Sequence, residues 1–160
     1  MALRTPIVIN AGQYQQLQSG DTLNAPQAGG DFVSQTNANV GAIVPGTPVY
    51  SAGNDSVDKA KADASATAAV MGLVGATSIN ASASGQICVG GILALTTGQW
   101  DTAFGTSGGL TANTKYYLSA ATAGVGTSTA PTTVGQLVTP LGRAISTTEL
   151  KLGIEDPTLL

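Results

Sequence analysis

Short apolar clusters separated by turn-forming residues recur along most of this chain. From residue 31 onward they lie at 32–34, 42–44, 48–51, 69–76, 85–95, 115–120, 135–144 and 149–154, each bounded by Gly, Pro, Asn, Asp or Ser. That is the strand-and-turn signal, and many short strands in succession predict an all-β fold, a single compact β-sandwich or barrel with little helix. The stretch GLTANTKYYLSAATAGVGTSTAPTTVGQLVTPLGRAIS has the composition of a linker, yet it reads as two strands joined by a long Gly/Thr/Pro turn. With 115–120 as a strand, Tyr116 and Tyr117 point to opposite faces, one ring into the core and one outward.

Two segments carry a more specific expectation. Alanines at 60, 62, 64, 66 and 68 alternate with the period of a strand, although alanine itself favours helix. A strand over 58–61 and then one helical turn before Val70 reconciles the two. In QICVGGILAL, Gly90 and Gly91 interrupt the strongest apolar run. Paired glycines in a strand mark a bulge or a close backbone approach, so QICV and ILAL are expected to meet at a corner of the barrel. Trp100 and Phe104 are expected in the core.

Residues 1–30 break the pattern. A strand-like piece, Ile7, Val8 and Ile9, precedes the Gln-rich stretch AGQYQQLQSGDTLNAPQAGG, whose larger apolar residues are Tyr14, Leu17 and Leu23. Such a sequence buries too little surface to fold alone. Pro26 and the pair Gly29-Gly30 close it off as a boundary. The reading is an extended N-terminal arm, 1–30, ahead of a β-domain, 31–160, with a plain terminal tail as the alternative. An arm of this kind gains order by lying on a partner. Ile7, Val8, Ile9, Tyr14, Leu17 and Leu23 are then the partner-binding residues, the first three by adding a strand to a sheet edge.

Composition narrows the classes. Only 9% of residues are charged, against about 25% in an average soluble protein. The net charge of −3 and mean hydropathy of +0.20 do not carry the signature of disorder. A surface with so few charges suits dense packing against copies of itself or a partner. The six basic residues, Arg4, Lys59, Lys61, Lys115, Arg143 and Lys151, are scattered along the chain, and the isoelectric point is near 4.5. No basic patch is expected, and so no nucleic-acid partner. No apolar run approaches the ~20 residues of a membrane span, and the opening MALRTPIVIN lacks a signal-peptide core. No membrane partner is expected, and synthesis in the cytoplasm is.

Catalytic chemistry finds little to work with. The chain has no histidine and one cysteine, which removes the usual zinc ligand sets and every His-based triad. Cys88, in an apolar run, reads as a small buried hydrophobe. Asn54, Asp55 and Asp58 form an Asx-rich turn without the spacing of an EF-hand loop. Asp101 beside Trp100 offers a candidate sugar-binding pair, and Glu155 and Asp156 are expected in solvent. No catalytic residue, cofactor or metal site is expected.

The later motifs resemble a module found in virion proteins of tailed bacteriophages. LTANTKYYLS followed by GVGTSTAPTTVGQLVTPLGRAIS is similar to its Leu–turn–Tyr-Tyr-Leu strand, Thr/Pro/Gly turn and final hydrophobic-Gly-x-Ala strand. The matching residues are Leu110, Tyr116, Tyr117, Leu118, Thr127, Pro131, Gly135, Val138, Gly142, Arg143, Ala144 and Leu150. Upstream, PVYSAGN, AAVMGLVGA and GQICVGGILAL fit as well, so the resemblance covers 41–154. It implies a structural, non-enzymatic β-domain on a virion surface. Combined with the arm, it points to a capsid decoration (cement) protein on the outer capsid surface. Its partners would be the major capsid protein and its own copies, a trimer foremost, with a dimer as the other option. The alternative is a tail- or head-fibre module for host attachment or glycan binding. The absence of a repeated shaft favours decoration.

Overall fold

Valines and isoleucines facing one side of successive strands wrap the first half of the domain around its own interior. The computed structural model describes residues 29–160, together with the backbone of 7–10 and 13–16. Two N-terminal strands, β1 (Ile7–Asn10) and β2 (Gln13–Gln16), pair antiparallel in a sheet of their own. Strand β3 (Gly30–Asn37) then enters the domain, followed by the hairpin β4 (Pro48–Gly53) and β5 (Ser56–Lys59). A single helical turn, α1 (Ser65–Ala68), leads into β6 (Val70–Val74) and the long β7 (Ser84–Ala94). Strand β3 pairs with β5 in parallel and with β7 antiparallel, so β3–β5–β4–β6–β7 closes into a five-stranded barrel.

The barrel is filled by Val49, Val57, Val74 and Ile87, with half-buried Val33 against them. Its end is stoppered by the mutual bridge between Ile43 and Ile79. The strand expected at 42–44 reduces to that bridge, because Pro45 and the left-handed Gly46 turn the chain away at once. Asn37 satisfies the backbone at this end. Its buried amide donates to the carbonyls of Gly41 (2.9 Å) and Ile79 (2.8 Å), and its Oδ1 accepts from Asn39 N (2.7 Å).

Strand β7 belongs to two layers. Its first half pairs with β6, Leu73 opposite Cys88, and its second half with β12 (Glu149–Leu152), Leu150 opposite Leu93. The change occurs at the double glycine. Across from β3, Gly30 opposes Gly91 and Phe32 opposes Cys88, so one residue of β7 is bulged between them. Gly91 has φ +75, and the Gly29 carbonyl lies where a Cβ would stand. The expected corner is therefore present, although the strand continues through it.

Beyond the corner, the second sheet runs β7, β12, β11 (Pro140–Ala144), β8 (Lys115–Leu118) and β9 (Gly126–Thr127). The stretch expected as one long turn thus contains β9, which pairs with Tyr117 and Leu118. A two-stranded flap of β10 (Leu137–Val138) and β13 (Thr158–Leu159) lies beside it in the chain. The main core fills the space between barrel wall and second sheet. Leu73 and Cys88 come from the barrel, Tyr116, Leu118, Leu141 and Leu150 from the sheet.

Helix α2 (Thr97–Phe104) plugs the same space with Trp100, Ala103 and Phe104. It starts with a capping box, in which the Thr96 hydroxyl accepts from Gln99 N (3.2 Å) and the Gln99 side chain accepts from Thr96 N (2.9 Å). It ends on Gly105 in the left-handed conformation.

Candidate partner-binding surfaces

Of the expected partner-binding residues, Ile7, Val8, Ile9 and Tyr14 lie on the β1–β2 hairpin. Ile9 is opposite Tyr14, and Ile7 and Val8 are opposite Gln16 and Gln15. Their side chains, and Leu17 and Leu23 altogether, fall outside the described residues. The hairpin shares no strand pairing with the domain's sheets among the described residues. Among the described residues, each strand is therefore paired along one edge only. A two-stranded hairpin is marginal by itself.

The aromatic residues sort clearly. Trp100 has no exposed surface, and its indole N–H donates to the Thr148 carbonyl (2.9 Å). It packs edge-on to Phe104 with ring centroids 5.0 Å apart. The Trp100–Asp101 pair therefore offers no sugar platform, because the ring belongs to the core. Tyr116 is the inward tyrosine, its hydroxyl accepting from Thr111 N (3.0 Å), and Tyr117 is the outward one.

Asp101 acts on the fold. Its carboxylate accepts from Gly109 N (2.8 Å), the Thr106 hydroxyl (2.7 Å) and Gly108 N (3.0 Å), clasping the loop after α2. The Gly109 N–H first, then the Thr106 hydroxyl and the Gly108 N–H, hold this carboxyl below the usual carboxylate range against a partial loss of solvent. A group with a depressed folded pKa contributes stability above its unfolded pKa and loses it as pH falls through the folded value. Asp101→Asn is expected to lower the melting temperature at pH 6 and to flatten its decline below about pH 4, where an unperturbed Asp titrates. Melting curves from pH 6 to pH 2 check both points.

Cys88 is fully buried, its thiol donating to the Gly90 carbonyl (3.2 Å), and burial pushes its pKa up. Asp58 accepts from the Asn39 side chain (2.8 Å) and from Lys59 N (2.7 Å), while Asp55 sits in the β4–β5 turn with φ 51. Glu155 and Asp156 are exposed. A groove of about 720 Å³ between the 44–45 and 76–80 loops and the start of α2 carries no ionisable side chain. Its polar lining is Ser78, Asn80, Gln99 and threonines.

Two surfaces were not foreseen. Val134, Leu159 and Leu160 are large apolar residues left in solvent on and beside the β10–β13 flap, where Gly135 N donates to the Leu160 carbonyl. The second corrects the expected scatter of basic residues. Lys115 pairs with Arg143 across β8 and β11, and Arg143 with Lys151 across β11 and β12. Three of the six cations in the chain therefore stand side by side on the outer face of the second sheet. Only strand register joins positions so far apart in sequence, and the β11 bulge between Pro140 and Gly142 helps to set it.

Compared with models of known protein families and with curated proteins, this chain matches none.

Proposed function

We propose that this protein is a structural virion protein that decorates the outer capsid of a tailed bacteriophage. In this reading its N-terminal hairpin adds to a sheet edge of the major capsid protein, and its β-domain bridges neighbouring capsomers. The observation that carries the reading is the β1–β2 hairpin, each strand of which is paired along one edge only among the described residues. Main-chain ladders of this kind grip a partner without needing a pocket. The exposed Val134, Leu159 and Leu160 add an apolar contact surface of the kind that packs against a neighbouring subunit. Repeated copies of the protein, as a homo-oligomer, would multiply such contacts over the shell. The fibre-module alternative loses the ring of its sugar-binding pair to the core and keeps Tyr117.

Deleting residues 2–28 removes the hairpin and leaves β3 whole. The truncated protein is expected to keep the cooperative melting of the domain while losing attachment to particles that lack the protein, measured by co-sedimentation. Undiminished attachment would contradict the role given to the hairpin.

A further inference from the structure

We propose that the row Lys115–Arg143–Lys151 and the groove beside it bind carboxylate side chains on an extended acidic segment of a partner protein. Neighbouring strands lie about 4.8 Å apart, so the three cations span roughly 10 Å across β8, β11 and β12. Like charges directly opposite one another repel, and the row is only partly neutralised within the chain. Lys115 pairs with Glu155 at 3.4 Å. Arg143 Nη1 donates to the Asn113 backbone carbonyl (2.6 Å) and Oδ1 (3.2 Å), both uncharged. These bonds hold the guanidinium in place while leaving its charge uncompensated and its other N–H groups available for a bidentate carboxylate. Lys151 makes no ion pair among the described residues. A groove of about 330 Å³ lies against these cations, open at Gly153, where an added Cβ would meet nothing within 4 Å, and its lining includes Gly142, the apolar Leu152 and the acidic Glu155.

The charge count selects the partner. Glu149, two residues before Lys151 on β12 and bonded to the Ser146 hydroxyl (3.4 Å), shares this face with Glu155. Three cations and two carboxylates leave the face at +1 on a chain of net charge −3. A dense polyanion such as nucleic acid needs many neutralised phosphates to bind and would be repelled by the rest of this protein. One or two discrete carboxylates meet far less of this repulsion, which scales with the charge brought in. This site does not depend on where the protein is located, so its test needs no particle.

The test titrates the isolated full-length protein, at low salt, with the capped peptide Gly-Asp-Gly-Asp-Gly, followed by amide chemical shifts. Shifts are expected at Lys115, Arg143 and Lys151, with none from the Gly-Asn-Gly-Asn-Gly peptide. The double variant Arg143→Gln/Lys151→Gln is expected to cut the initial slope about tenfold, the effect of losing two ion pairs. The control Lys59→Gln/Lys61→Gln removes the same charge elsewhere and is expected to leave the slope unchanged. Equal losses in both variants would show a general attraction and overturn the site, as would the absence of shifts. Tighter binding of a single-stranded oligonucleotide through the same three residues would overturn the choice of partner.

Discussion

Trp100→Ala is expected to lower the free energy of unfolding by about 3–5 kcal/mol, the range for emptying a large buried aromatic site. The indole is wholly enclosed between the barrel wall and the second sheet, and it is the largest side chain in the core. Its removal leaves a cavity that Phe104 cannot fill without losing its own contact with Tyr116, 5.2 Å away between centroids. It also strips the Thr148 carbonyl of its indole donor. Trp100→Phe restores much of the volume but not the N–H, and the Thr148 carbonyl keeps the Leu95 N–H (2.9 Å), so it is expected to cost only about 0.5–1.5 kcal/mol, the net worth of one hydrogen bond. Urea unfolding of the three proteins separates packing from hydrogen bonding.

Gly91→Ala comes next in size, at about 2–5 kcal/mol. The left-handed conformation costs a residue with a Cβ about 1–2 kcal/mol, and overpacking adds about 1–3 kcal/mol. Both apply here, since φ is +75 and the added methyl would overlap the Gly29 carbonyl oxygen. That carbonyl accepts from Ile92 N (2.6 Å), the bond that fastens the start of β3 to β7, so it has little freedom to retreat. Gly90→Ala is the contrasting case. Its added methyl meets the end of the Asp31 side chain at 3.0 Å, and a flexible carboxylate can swing aside. Thermal unfolding is expected to rank wild type and Gly90→Ala close together, with Gly91→Ala well below both.

The double glycine was legible because a break in an apolar run has a local cause. The helical turn at Ser65–Ala68 was legible for a similar reason, alanine propensity winning over a few residues. Helix α2 went unread although its signals are present in the sequence. Thr96 and Gln99 stand three apart as a capping box, and Gly105 ends the helix. Eight residues carrying three buried side chains give too weak a period to separate helix from loop. The facing of the tyrosines was half legible. The β8 alternation demands opposite faces, and Lys115 on the side of Tyr117, with Leu118 on the side of Tyr116, decides which is which.

What stayed hidden depends on contacts between distant segments. Closure of the barrel needs β3 to run parallel to β5 while pairing with β7, some fifty residues later. No local pattern encodes a pairing of that kind. The cationic row is hidden for the same reason. Lys115, Arg143 and Lys151 look scattered along the chain, and they become neighbours only once β8, β11 and β12 fix their register.

The central claim, decoration of the outer capsid, is tested most directly by imaging. Particles lacking the protein are mixed with the purified full-length chain, and the added density is located by electron cryomicroscopy. Decoration predicts density repeated over the shell at equivalent positions on every capsomer, with a thin connection running from each β-domain onto the capsid surface. Density confined to the tail or its fibres, or no added density at saturating protein, would contradict it.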